Sequence, residues 1–229
     1  MRFVRVRLRA PRARLPELSD FYERRLGLPV AASEEVVTVG VGETQLEFVA
    51  GSGAPFYHFA LVVPGNRFER ALHWARANTA LLANPGSGDD VFDFDAWNAR
   101  ACYFHDRAGN IVELIAHHGV DETDRRGDFY GTELVGFSEL GLVGDPRAMA
   151  DSLAERLGLE LWDGTLDAPG SLAFVGERAR TLILAPERRG WLPTGRPSER
   201  HDLEVVLSGP KTGETELEGS RYRIHALAR

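Results

Sequence analysis

The sequence predicts an α+β fold built from tandem βαβββ units, paired into two domains, and three observations predict it. An order of strand, helix and further strands recurs along the 229 residues. The helices of the first and third rounds end in the same letters, "RLGL", at Arg25–Leu28 and again at Arg156–Leu159. The chain is also long enough for one large domain or two modest ones, each with its own core. An internal period implies a supersecondary unit that packs against its copy. Three and a half units, taken two by two, make two domains.

The first unit opens with "FVRVRLR" (Phe3–Arg9), which alternates with period two. Val4, Val6 and Leu8 fall on one face, and Arg5, Arg7 and Arg9 on the other. "LPELSDFYERRLGL" follows, with Leu18, Phe21, Tyr22 and Leu26 at helical spacing and Gly27 as a stop. "EVVTVGVG" and "TQLEFVAG" are strand-like runs joined by a hairpin turn at Gly42-Glu43. The second unit begins with "FYHFALVVPG" (Phe56–Gly65) and continues with an amphipathic helix over Arg67–Leu82. "VFDFDAWN", "RACYFHD" and "NIVELIAHH" are its later strands.

The polar, Gly-containing stretch from Gly119 to Thr132 reads as a linker. In the third unit "LVGFSELGLVG" is the strand. "DPRAMADSLAERLGLEL" is the helix, with Asp145 as cap and Pro146 in the first turn. "SLAFVGE" and "TLILAPE" complete it. The fourth round has "DLEVVLSG" but no helix, only "TELEG" and "RYRIHALA". The expected boundaries are 1–119 for the first domain, 120–132 for the linker and 133–229 for the second, whose last unit is truncated.

Composition excludes several classes of function. A net charge of −7 argues against nucleic acid as the main partner, which would need a concentrated positive patch. Residues 1–119 hold 13 basic and 14 acidic side chains and residues 120–229 hold 14 and 20, so the acidity lies in the second half. No apolar run approaches the roughly 18 residues of a membrane span, and the N-terminus has no apolar signal-peptide core. The single cysteine, Cys102, allows no internal disulfide, so a cytoplasmic location is expected. In its strand Cys102 reads as a small buried hydrophobe rather than a nucleophile.

"FYERRLGL", "YHFALVV" and "DRAGNIVELI", set in βαβββ order, resemble the vicinal oxygen chelate superfamily, which includes glyoxalase I, bleomycin-resistance proteins and extradiol ring-cleaving dioxygenases. Arg107 stands where the family's closing signature usually has proline. The resemblance covers residues 1–119 well, covers 133–186 by architecture, and thins out beyond. It implies curled mixed sheets around a cleft, with inward positions on the first and last strands of each unit carrying His and Glu metal ligands. It also implies a small-molecule substrate or ligand.

Strand parity carries those positions over. Glu47, His58 and Glu113 fill three of the four ligand positions. The first position holds Arg5 or Arg7, which has no lone pair to give a metal. Two readings stand side by side. In one, Glu47, His58 and Glu113 hold Fe, Mn, Ni or Zn, and Glu47 or Glu113 moves protons in lyase, isomerase or dioxygenase type chemistry. In the other, the guanidinium of Arg5 or Arg7 replaces the metal, and the cleft is a non-catalytic binding site of the resistance type.

Trp97 and Asn98 are further substrate-binding candidates, Trp97 by stacking on a flat molecule. His117 and His118 read as an exposed domain edge, and His73 and His105 as surface residues. "WLPTG" (Trp191–Gly195) reads as a lid or an interdomain contact without chemistry. Glu139 falls near the first ligand position of the third unit. No other ligand follows it there, so the second half reads as a degenerate copy, a structural cover or the contact of a homodimer.

Overall fold

The computed structural model describes residues 1–228. The first unit comprises β1 (Arg2–Pro11), α1 (Leu15–Asp20, continued by a π-helical turn at Phe21–Arg25), β2 (Val30–Ala32), β3 (Val36–Val41) and β4 (Thr44–Gly51). The second comprises β5 (His58–Val62), α2 (Phe68–Asn78), β6 (Leu81–Leu82), β7 (Phe92–Phe94), β8 (Ala99–His105) and β9 (Ile111–His117). The third has β10 (Phe137–Val143), α3 (Pro146–Leu157), β11 (Leu161–Gly164), β12 (Ala173–Glu177) and β13 (Arg180–Ala185). A short hairpin, β14 (Gly190–Trp191) and β15 (Arg196–Pro197), leads to the helix-less fourth unit. That unit has β16 (Leu203–Gly209), β17 (Gly213–Leu217) and β18 (Tyr222–Ala228). No helix is long and apolar enough to cross a membrane.

Local chemistry explains the helices. Phe68, Ala71, Leu72 and Ala75 form the buried stripe of α2. Its C-cap, Thr79, is already extended, so the helix stops short of the expected Leu82. The Asp145 carboxylate accepts from the backbone N–H groups of Arg147 and Ala148, Pro146 occupies the first turn of α3, and Gly158 closes it in the left-handed region.

In every unit the first strand lies parallel to the last, as a helical or looped crossover requires. The pairing of units differs from the expected one. β1 pairs antiparallel with β16, so units one and four share a sheet in the order β17-β18-β16-β1-β4-β3-β2. β5 pairs antiparallel with β10, which joins units two and three in β11-β12-β13-β10-β5-β9-β8-β6. The expected boundaries at 119 and 133 therefore do not separate the sheets. Residues 2–51 and 203–228 form one, and residues 58–185 form the other. The segment expected as a linker is docked, because Phe129 is buried against Trp74 and the Asp128 carbonyl accepts from the Arg67 guanidinium at 3.0 Å.

The two sheets turn their helix-bearing faces toward each other over one apolar core. Phe3 of β1 meets Phe137 of β10, Tyr22 meets Phe48 of β4, and Phe21 meets Phe104 of β8. β5, β9, β10 and β13 are buried at every position, whereas β16 alternates. The sheet of units two and three is thus covered on both faces, and that of units one and four only on its core face.

The "DRAGN" turn anchors α1 to this frame. The Asp106 carboxylate accepts from the backbone N–H groups of Ala108 and Asn110, from Asn110 Nδ2 and from the Tyr22 hydroxyl. Asp106→Ala leaves these buried donors unmet, and chemical denaturation is expected to show a loss of about 2 kcal/mol. Gly42 of the β3–β4 hairpin, at φ +53°, cannot carry a side chain. A Cβ there would lie 2.0 Å from the Val135 carbonyl oxygen.

Candidate metal centre

Strand parity sends alternate residues of β5 to opposite faces. Phe59 and Leu61 enter the shared core, while His58 and Ala60 lie on the opposite face, where His58 lines a cleft. On β9, Val112 and Leu114 take the core, and Glu113 lies with Ile111 and Ile115 on the opposite, cleft-facing side. β10 needs a further device. Phe137 pairs with Leu61, yet Glu139 pairs with Ala60, because a bulge at Ser138 shifts the register. That extra residue turns Glu139 onto the cleft face while Phe137 stays in the core.

Glu113, Ala60 and Glu139 consequently lie abreast across β9, β5 and β10, with His58 one step along β5. One ligand atom from each of His58, Glu113 and Glu139 falls within 4.8 Å of the others, and all three residues are buried. His58 Nε2 stands 3.5 Å from Glu113 Oε2. Its Nδ1–H donates to the Ile111 carbonyl at 3.2 Å, which leaves the Nε2 lone pair facing the carboxylates.

The electrostatics are those of a site that lacks compensating charge. Burial pushes His58 down to about 4, with the Arg189 cation acting in the same direction, so the imidazole is neutral. Burial pushes Glu139 up to about 8. Glu113 is raised well above its ordinary value, first by burial and then by Glu139, against a hydrogen bond from Tyr103. No arginine or lysine pairs with either carboxylate among the described residues. Two buried acids and an oriented imidazole are balanced either by protons or by a divalent ion. The donor set, one nitrogen and carboxylate oxygens, suits Fe, Mn, Ni or Zn.

The cleft above is apolar. Phe94, Trp97, Tyr103, Phe174, Ile183 and Trp191 wall a cavity of about 50 Å³. Trp191 reaches in from the β14–β15 hairpin and packs on His58 with ring centroids 5.0 Å apart. Gly141 of β10 makes room for it, since a Cβ there would lie 2.8 Å from Trp191 Cη2. Gly141→Ala is expected to push the indole off His58 and lower stability by about 2 kcal/mol. A wild-type melting temperature for this variant would refute that packing argument.

Of the residues singled out from the sequence, the structure brings His58 and Glu113 together and sets Trp97 in the cleft wall. Glu47, Arg5 and Arg7 are elsewhere, on the other sheet. The Arg7 guanidinium binds Glu47 at 2.6 Å and Glu204 at 3.3 Å, so arginine–carboxylate pairing exists, but away from His58 and Glu113. Neither arginine fills the centre. Asn98 ends a 3-10 turn in the left-handed region and does not line the cavity. His117 is buried instead of marking an exposed edge, and burial with the Arg178 charge pushes it down to about 4. Val4, expected on the core face of β1, is exposed because a bulge at that position puts Phe3 there instead. Cys102 is fully buried, and burial pushes its thiol up to about 12.

Sequence reasoning missed Glu139 as a partner of His58 and Arg189 as lining, and read Trp191 as part of a lid or an interdomain contact without chemistry. The apolar character of both faces of "HFALV", "IVELIA", "FSELGLV" and "TLILA" was the available signal, since strands covered on both faces belong in one sheet. The register of the two sheets identifies the degenerate copy. β1 carries the same bulge as β10, so Arg5 stands in its sheet where Glu139 stands in the other. Glu204 and His225 then correspond to His58 and Glu113.

No protein-family model matches the chain, and no curated protein matches it. Solved structures do. A putative dioxygenase from Bacillus subtilis superimposes with a TM-score of 0.60 at 16% identity, over 99% of this chain and 85% of that one. A V278E mutant of glyoxalase I from Zea mays gives a TM-score of 0.58 at 13% identity, over 99% and 92% of the two chains. A further glyoxalase I structure from Zea mays gives 0.54 at 14% identity, over 90% and 74%. The chain has the fold of the vicinal oxygen chelate superfamily.

Proposed function

We propose that this chain, which carries the fold of glyoxalase I, is a metal-dependent enzyme acting on a small oxygenated molecule through lyase, isomerase or ring-cleaving dioxygenase type chemistry. The observation that carries this reading is the convergence of His58, Glu113 and Glu139 within 4.8 Å at the floor of an apolar cleft. These three residues would hold Fe(II), Mn(II), Ni(II) or Zn(II). Such an ion, when bound, polarises substrate oxygens as a Lewis acid.

The remaining work falls to the chain's own groups. The Ile111 carbonyl fixes the His58 tautomer. Tyr103 hydrogen-bonds Glu113 and orients its carboxyl group. Glu139 and Glu113, the two carboxyl groups at the floor of the cleft, would accept and return the proton. Trp97, Phe174 and Trp191 keep water from the floor of the cleft.

Elemental analysis of protein purified without chelators tests the reading. Stoichiometric Fe, Mn, Ni or Zn is the expected result. Folded protein that takes up none of these ions under any loading condition would sink it and leave a non-catalytic small-molecule binder.

A further inference from the structure

Among the described residues, Arg189 is the one arginine or lysine that lines the cleft of the proposed centre. It sits between β13 and the β14–β15 hairpin, two residues before Trp191. Its guanidinium donates to the Gly190 carbonyl at 2.9 Å and pairs with no carboxylate among the described residues. The neighbouring Glu187 is taken by Arg200 at 2.7 Å. The backbone around Arg189 is held at its base. Ser198 N donates to the Arg189 carbonyl, and Ser198 Oγ donates to the Pro186 carbonyl at 2.8 Å. Arg196 lies over the Phe56 ring and ties the hairpin to the sheet.

Charge counting gives this arrangement a meaning. A divalent ion with two carboxylates and a neutral imidazole is electroneutral, so Arg189 leaves the cleft with one uncompensated positive charge. A buried or half-buried guanidinium without an anion is costly, and a carboxylate offers it bidentate pairing. The walls beside it are flat and apolar. Trp97 meets Phe174 edge-on at 4.7 Å and Trp162 at 5.1 Å, and Trp191 covers His58. The cavity of about 50 Å³ has room for a few oxygen atoms, while a larger body would lie along the aromatic rim.

We infer that the site selects a small, flat organic monoanion of the aryl carboxylate class, with Arg189 binding its carboxylate and the Trp97–Phe174–Trp191 rim taking its ring. The inference rests on the proposed metal centre. The aromatic walls and the unpaired guanidinium define the ligand by shape and by charge independently.

Calorimetric titration of metal-loaded protein with benzoate, salicylate and phenylpyruvate, each against its neutral amide, tests it. The acids are expected to bind, and more tightly than the amides. Arg189→Met is expected to weaken the acids by roughly ten- to hundredfold while leaving the amides unchanged, and Arg189→Lys to recover part of the loss. Equal affinity of acid and amide, no binding by any of the three acids, or an undiminished affinity in Arg189→Met would each overturn the inference. Metal content measured on the same samples separates this outcome from failure of the centre itself. A metal-free wild type refutes the proposed function, whereas a loaded protein indifferent to ligand charge refutes only the role of Arg189.

Discussion

Ion-free protein titrated with Zn(II) or Mn(II) near neutral pH is expected to take up one equivalent and to release protons as it does so. Both carboxyl groups of the centre sit above their ordinary range because they are buried, and ligation requires them ionised. Affinity should therefore rise with pH up to about 8, where Glu139 titrates. Glu139→Gln and His58→Ala each remove one of three donors and should weaken binding by more than about 100-fold, beyond the typical cost of losing a supporting contact. Glu47→Gln is the control that decides between sheets. Glu47 is held by Arg7 on the sheet of units one and four, so the variant should bind metal as the wild type does. Loss of metal in Glu47→Gln with retention in Glu139→Gln would reverse the assignment.

The ion-free protein should also lose stability as the solution becomes alkaline. Glu113 and Glu139 have folded pKa values raised above the unfolded ones. Their contribution is complete below the unfolded value and is lost as pH rises toward the folded one. His58 and His117 are depressed to about 4, so their contribution is complete above the unfolded value near 6.5 and is lost only as pH falls. Between pH 6.5 and 8 the carboxyl groups alone act. Two protons held by the folded chain and released on unfolding correspond to a loss on the order of 3 kcal/mol across that window. Denaturant midpoints of chelator-treated protein should fall accordingly. The Glu113→Gln/Glu139→Gln double variant should be nearly flat, and saturating metal should restore the wild type. Equal slopes for the wild type and the double variant would refute the raised values.

The parity argument succeeded where a strand's two faces differ in chemistry. "IVELIA" places a single carboxylate among apolar neighbours, and "HFALV" a single imidazole, and both side chains reach the cleft face as the alternation requires. The same argument placed Glu47 opposite Leu46 and Phe48, and that also holds, since Glu47 is on the outer face of its sheet. The error lay in which outer face it joined. Alternation is a property of one strand, and it carries no information about which other strand lies alongside.

Taken by itself, the sequence determined the three strand–helix units and the helix-less fourth, the turn chemistry of "DRAGN" and two of the three donors, because each follows from local periodicity or from a side chain's own capacity to bond. Only the tertiary structure decided that unit two pairs with unit three, that a bulge at Ser138 turns Glu139 inward, and that Arg189 and Trp191 close the cleft. The physical reason is that edge-to-edge pairing is settled by burial over both faces of whole sheets. "HFALV" and "FSELGLV" come together because both their faces need covering, while the charged outer faces of β1 and β16 are satisfied by water and by one another.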